Sequence, residues 1–408
     1  MKLFFKPIAK PFILASLTSL MLVEFVRNAL IISLLPNLGV DVPGLTPAVV
    51  GLAISVHYFF DNILRTPMGM LVDRYGHRLA LSIGLVVAAA GLLLIASADT
   101  PLTIILGGGL FGIGASPLWP TVISAITSTC KEEEKASAMG YVYTAWLVGG
   151  GAGPVLINFI FVWSLRATFT LMVSLLLVAG LLALTVRIKH HAHGTIKETF
   201  SQIDLRRYFR EIIVHLKEIR ILFPGMFVQT FAIGVLIPIL TPYARIVLGI
   251  SPQLQSLAII LVGGATVILL PVMGRLVDRL GARPFLSGGF LLCSVMLIAF
   301  SLQRSIIPAI FFMIMLGVSY SMILPSWNSV LDRSIAHDKR GAMWGVFMTI
   351  EGLGTATGPL FGGRLWDSFS PQAPFWLSAI VVGTMGILYL FLRLPGLQRY
   401  LKPTTKAS

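Results

Sequence analysis

Charge is what this sequence has least of. Only 12% of its 408 residues are Asp, Glu, Lys or Arg, about half the share in a soluble domain. Together with 56% hydrophobic residues and a mean hydropathy of +0.87, this scarcity excludes an ordinary soluble domain. It points to a chain that crosses a membrane many times. Cysteine is nearly missing as well. Cys130 falls in a charged loop and Cys293 in an apolar run, so neither a disulfide framework nor a thiolate metal site is expected. The sequence has no nucleotide-binding glycine loop, no nucleophile elbow and no cluster of metal ligands, which argues against an enzyme and against any cofactor or metal.

What is present is a series of apolar runs of spanning length, near 10–36, 46–72, 79–98, 101–128, 137–163 and 167–187, then near 221–243, 253–277, 284–302, 306–331, 342–365 and 373–394. Each is long enough for a bilayer core of roughly 30 Å at the helical rise of about 1.5 Å per residue. The expected fold is therefore an all-α membrane protein of twelve transmembrane helices. The opening MKLFFKPIAK resembles a secretory signal, but its apolar run is too long and holds Glu24 and Arg27, so it reads as a retained first helix.

Basic residues outnumber acidic ones 31 to 17, for a formal charge of +14, and their placement is one-sided. Lys2, Lys6, Lys10, Arg74, Arg78, Lys131, Lys135, Arg275, Arg279, Arg283, Arg333, Lys339, Arg340 and the central and C-terminal clusters fall on one side. Arg166, Arg245, Arg304 and Arg364 are left on the other. The bias predicts a multi-pass protein of the cell membrane with both termini cytoplasmic. It accounts for the net charge by topology and attraction to anionic lipid, without nucleic acid. The stretch 188–220 reads as a cytoplasmic linker. Its later part places Ile203, Leu205, Phe209, Ile212, Ile213 and Leu216 as the apolar face of an amphipathic surface helix, and its HHAH run reads as solvated.

The halves repeat. GMLVDRYGHR at 69–78 returns as GRLVDRLGAR at 274–283, and GGGAGP at 149–154 as GTATGP at 354–359, both 205 residues later. VEFV (23–26) faces VQTF (228–231) in the same register, and SPLW (116–119) faces LPSW (324–327) at 208. One register held through several helices predicts two pseudo-symmetric six-helix bundles, residues 1–187 and 221–408, with a site between the repeats.

The few charges inside the spans are the candidates for chemistry, because an ionisable group at that depth costs roughly 3 kcal/mol on insertion scales. They are Glu24, Asp61, Glu351, Arg27 and Arg65. Glu24 and Arg27 are three apart, and His57, Asp61 and Arg65 step along one helix face. A carboxylate beside an arginine can alternate between a proton and an ionic partner, which is what proton coupling requires. His57 fits a proton relay or a packed, hydrogen-bonded histidine equally well. Trp119 and Trp146 lie mid-span, away from the interfacial belt where tryptophan usually sits. Such rings can stack on a sugar while the indole N–H donates to it. Asn28, Gln229, Trp327 and Asn328 are further candidate substrate contacts. At duplicated positions Glu24 faces Gln229 and Arg27 faces Ala232, so a cavity polar on one wall and apolar on the other is expected. That suits an amphiphile.

The doubled G-x-L-x-D-R-x-G-x-R resembles the signature of the major facilitator superfamily, over the whole chain. The resemblance implies a cytoplasmic gate. Gly69, Asp73, Arg74, Gly76 and Arg78 would form one side of it, and Gly274, Asp278, Arg279, Gly281 and Arg283 the other, pinning the halves together in the outward-open state. GTATGPLFGG (354–363) fits the superfamily's antiporter motif in full, whereas GGGAGPVLIN (149–158) loses its last glycine pair; Gly153, Pro154, Gly358 and Pro359 carry the match. The fourth run, GGGLFGIGAS (107–116), lacks the arginine of the superfamily's drug–proton antiporters. EFVRNALI (24–31), SVHYFFD (55–61), SPLWPTVIS (116–124), MGYVYTAWLVG (139–149), ILFPGMFVQ (221–229), LPSWN (324–328), WGVFMTIEGLG and TGPLFGG (344–363) are similar to the proton-coupled flippases of the lipoteichoic-acid glycolipid anchor. That branch implies that Glu24, Arg27 and Asp61 line a charged pocket with Trp119 and Trp146 beside the headgroup, facing a hydrophobic C-terminal wall for acyl chains. Arg65 and Glu351 are not carried by the branch resemblance. The expected function is proton-coupled, alternating-access antiport of an amphiphilic glycolipid from inner to outer leaflet. Its partners would be lipid substrate, protons and membrane lipids, in a monomer. A multidrug efflux pump and a non-transporting scaffold or sensor are the alternatives.

Overall fold

The computed structural model describes residues 11–127, 130, 132–185, 219–334 and 340–391. The expected linker helix, the HHAH run, the terminal lysines and the side chain of Asp73 lie outside the described residues. Among the described residues, twelve long helices follow one another: α1 (Pro11–Asp41), α2 (Pro47–Tyr75), α3 (His77–Ala96), α4 (Pro101–Ile126), α5 (Glu132–Trp163), α6 (Leu165–Thr185), α7 (Arg220–Val247), α8 (Pro252–Leu280), α9 (Ala282–Ser301), α10 (Ile306–Ser334), α11 (Arg340–Ser368) and α12 (Ala373–Phe391). Among the described residues, eleven are long and apolar enough to cross a membrane. The twelfth, α11, is as long as α2, but Glu351, Arg364 and a run of glycines make it more polar.

Two positions show the repeat at backbone level. Gly76 ends α2 at φ 89°, ψ 154°, and Gly281 ends α8 at φ 89°, ψ 153°. That region is open essentially to glycine alone, so the glycine of the doubled motif is a conformational requirement at both sites. In each, the glycine N–H closes the helix onto a valine carbonyl, Val72 at 2.8 Å and Val277 at 2.9 Å. The same helix pairs pack in each half: α3 on α4 and α6, and α9 on α10 and α12.

The compact units do not follow the repeat boundary. One comprises the first six helices together with Gly234–Ile259 and Ala356–Pro371; the other comprises the described parts of Ala192–Ile233, Ile260–Thr355 and Gln372–Ser408. In the first unit, Leu20, Val23, Val26 and Leu30 of α1 pack with Ala88 and Leu92 of α3, Phe111 of α4 and Met172 and Leu176 of α6. In the second, Leu222 and Met226 of α7 pack with Leu286 and Phe290 of α9, Trp327 of α10, Phe347 of α11 and Tyr389 of α12. A Cβ at Gly149 would strike the Met21 carbonyl, and one at Gly354 the Phe227 carbonyl. Thus α5 lies on α1, and α11 on α7, with almost no space between backbones.

Two irregularities shape the site. Pro117 breaks α4 between Ala115 and Leu118, because proline lacks the N–H that would continue the ladder. Trp119 stands just past this break. In α1, residues Ala29–Leu34 form a π turn, followed by Pro36. Within this turn the carbonyl of Ile32 accepts from the Thr241 hydroxyl at 3.3 Å.

Candidate functional site

The charged side chains predicted on α1 and α2 meet. Glu24 and Asp61 are each 1% exposed and Arg27 7%, so desolvation leaves them to one another. Arg27 lies between the carboxylates, Nη2 3.4 Å from Glu24 Oε1 and Nη1 3.7 Å from Asp61 Oδ2. Arg65, one helical turn beyond Asp61, holds the same Oδ2 at 2.8 Å. Written fully ionised, the row Glu24–Arg27–Asp61–Arg65 has two charges of each sign and is neutral. It is not saturated, however: Arg27 Nε and Asp61 Oδ1 are buried without a hydrogen-bond partner.

Two further side chains orient Glu24. The indole N–H of Trp119 donates to Glu24 Oε1 at 2.9 Å. The amide of Asn28 donates to the Glu24 main-chain carbonyl at 2.9 Å and to Oε2 at 3.3 Å. Trp146 meets Trp119 edge-on, with ring centroids 6.4 Å apart, and remains 42% exposed. One expectation is corrected here. The Trp119 N–H, expected to be free for a sugar, is committed to the carboxylate; the open aromatic face belongs to Trp146. His57 is buried between Phe111 and Tyr58, at centroid separations of 5.4 and 5.2 Å. It also meets the Gly108 backbone in a contact that falls short of a full hydrogen bond, so it is packed as one reading required.

The remaining predicted residues fall elsewhere. In the second unit Trp327 is buried and Gln229 and Glu351 are half-buried, while Asn328 is exposed on the adjoining face of α10. Of the gate residues, Arg74, Arg78, Asp278 and Arg279 are exposed, and Arg74 lies over the Tyr75 ring at 5.3 Å. Arg283 is occupied within its own half. Its Nε donates to the Tyr389 carbonyl at 3.3 Å and its Nη2 to the Leu390 carbonyl, capping the end of α12 where helix carbonyls lack partners. Gly69 packs beside Pro120 of α4, and Gly274 faces open space. Gly153 abuts the Phe25 carbonyl of α1, and the Pro359 carbonyl abuts Gly51 of α2; Pro154 and Gly358 lie within α5 and α11.

A second polar row on α1 escaped the sequence reading. Ser33, Asn37 and Asp41 follow at four-residue steps. Ser33 donates to Asn158 Oδ1 of α5, as does the Asn37 amide at 3.0 Å. Arg245 of α7 donates to Asn37 Oδ1 at 3.2 Å and grips Asp41 with both guanidinium arms, at 2.7 and 2.9 Å. Gln255 of α8 continues the row, donating to Thr241 at 2.7 Å. The signal was the i, i+4, i+8 spacing of small polar residues.

Comparison with known proteins identifies the family. The sequence profile of the Major Facilitator Superfamily matches residues 14–220 and 222–407. The proton-coupled antiporter flippase LtaA of Staphylococcus saprophyticus is 32% identical over 378 residues, 91% of each chain. The protein of the same description in Staphylococcus aureus is 30% identical over 388 residues, 93% of this chain and 94% of that one. Among solved structures, a D-xylose–proton symporter superposes with a TM-score of 0.73 at 15% identity, covering 95% of this chain and 98% of that one. At that identity, the likeness speaks for the fold.

Proposed function

The chain belongs to the major facilitator superfamily, and from that premise we propose that this transporter is a proton-coupled antiporter that flips an amphiphilic glycolipid from the inner to the outer leaflet. The observation that carries the reading is Arg27 held between two buried carboxylates, in a chain similar along most of its length to proteins named proton-coupled antiporter flippases. Neither of its contacts is as short as that of Arg65 with Asp61. A proton on Glu24 cancels one attraction and releases Arg27 toward Asp61, whose Oδ1 is unfilled. The same proton takes the row from formal neutrality to +1. Glu24 and Asp61 sit on different helices, so the transfer changes how α1 and α2 hold each other, and a protein switch needs such a two-state element.

In this reading Trp146 offers its open face to the headgroup, and Trp119 keeps the Glu24 carboxyl aimed. The repeats 1–187 and 221–408 rock as two bundles, with both termini cytoplasmic by the positive-inside bias. Arg74 and Arg78 work opposite Asp278 and Arg279 at the cytoplasmic gate, and Arg283 serves as an anchor of α12. The test is reconstitution. Purified protein in liposomes should move a fluorescent diglycosyl-diacylglycerol between leaflets, faster with an imposed pH gradient. No gradient dependence would remove the antiport assignment, and equal transport of unglycosylated cationic drugs would favour efflux.

A further inference from the structure

The second repeat carries its own carboxyl–indole pair, built from different positions. Where the first half has Glu24 on α1, Trp119 on α4 and Trp146 on α5, the duplicated positions hold Gln229 on α7, Trp327 on α10 and Glu351 on α11. The acid has moved from the first helix of the repeat to the fifth. Packing brings the three helices together. The ring edge of Trp327 would stand 2.8 Å from a Cβ at Gly225, one turn before Gln229. Gly354, one turn after Glu351, lies against Phe227 and Thr230.

The two sets differ in how far they are satisfied. In the first, the indole N–H is bonded and every charge has a counter-charge. In the second, the Trp327 side chain is 1% exposed, and its N–H interacts with the Glu351 carboxyl in a contact that falls short of a hydrogen bond. Gln229 Oε1 is buried with no partner. Among the described residues no Lys, Arg or His pairs with Glu351; its carboxyl interacts with Trp327 and Tyr320, while the Thr355 hydroxyl donates to its main-chain carbonyl at 3.1 Å. The half-buried carboxyl and the amide oxygen leave several acceptor positions open around one donor. A buried acceptor without a donor is costly, so the arrangement asks for a ligand rich in O–H groups.

We propose that Glu351, positioned from behind by Trp327 and flanked by Gln229, is a second headgroup-binding site that accepts hydrogen bonds from the hydroxyls of a glycosyl group. The proposal rests on the glycolipid reading and refines it. The C-terminal wall, expected to be apolar for acyl chains, contains one polar anchor. Glu351 is the contacting residue and Trp327 a positioning residue.

The test is lipid binding to the intact detergent-solubilised protein, with three probes of equal chain length: a diglycosyl-diacylglycerol, the same diacylglycerol without sugar, and a quaternary-ammonium amphiphile. Glu351→Ala should weaken the glycosylated probe about tenfold, the scale of one hydrogen bond to a charged group, and leave the sugar-free lipid unchanged. Glu351→Gln, which keeps one acceptor, should lose less. Trp327→Phe should weaken sugar binding alone but add nothing in the Glu351→Ala background, because two residues acting through one contact are not additive. Thermal unfolding of each variant in detergent identifies any that fail to fold, and Glu351→Gln, the mildest change, then decides. If wild type prefers the glycosylated probe and the folded variants keep that preference, the second site is overturned while the flippase reading stands. Loss confined to the ammonium probe overturns the hydroxyl assignment. A wild type that does not distinguish the glycosylated lipid from the sugar-free one overturns both.

Discussion

Arg245 meets Asp41 through two parallel N–H···O contacts, 2.7 and 2.9 Å long, and so ties α7 of the second repeat to the end of α1. Both side chains are partly exposed, so the pair contributes under about 1 kcal/mol to stability; what it specifies is a position. Arg245→Ala and Asp41→Asn should therefore change thermal unfolding little. They should raise the labelling of a cysteine placed at Asn37 by a water-soluble thiol reagent, several-fold over wild type. The exchanged pair Asp41→Arg with Arg245→Asp should restore protection. Labelling unchanged in both single variants counts against a fastening role.

Glu24→Gln keeps the shape and hydrogen-bonding head of the side chain but removes the exchangeable charge. Gradient-driven flipping should collapse in Glu24→Gln and in Asp61→Asn, while lipid binding without a gradient falls less. A static pair behaves differently. Breaking it strands a buried arginine at a cost of about 3–5 kcal/mol, and Glu24→Gln with Arg27→Gln would then recover expression and transport together. Gradient-driven transport in that neutral double variant would sink the coupling role of Glu24.

The two N-terminal tryptophans should separate by function. Trp119→Phe keeps a ring yet removes the N–H that holds Glu24, so it should blunt the dependence of transport on the pH gradient. Trp146→Phe should be close to wild type in all assays. Trp146→Ala should weaken headgroup binding by about 1 kcal/mol, the scale of an aromatic contact. Equal effects of the two phenylalanine variants on coupling would contradict the distinction.

Gly281 has open space where a Cβ would go, so any cost of Gly281→Ala is conformational. At φ 89° an alanine is strained by about 1–3 kcal/mol, and the melting temperature should drop accordingly. Gly76→Ala should match it, since its backbone angles are nearly identical. A stabilised Gly281→Ala would show that the turn relaxes freely.

The twelve helices and their duplication were legible because both rest on long apolar runs and on a register that many residues share. Glu24, Arg27, Asp61 and Arg65 were legible for the opposite reason: charges are so scarce inside the spans that each is conspicuous. The direction of the Trp119 N–H was not, since the break at Pro117 aims the ring and a sequence shows no aim. Ser33, Asn37 and Asp41 were passed over because small polar residues in a spanning helix often bond only their own backbone, as Ser16 does to Phe12. Arg283 was read as a gate residue by motif alone, and the α12 carbonyls that occupy it lie more than a hundred residues away.

The π turn at Ala29–Leu34 gives chain length a meaning in α1. A π turn holds one residue more than an α turn, so the wide turn absorbs that residue, and taking one away there would leave an α turn with its flanks near their present phase. Glu24 and Arg27 would stay beside Asp61, and Asn37 and Asp41 would keep their side toward Asn158 and Arg245. A one-residue gap at this turn between two relatives is therefore a change of helix width that proton site and fastening can both survive, to be read with less weight than a substitution at Glu24 itself.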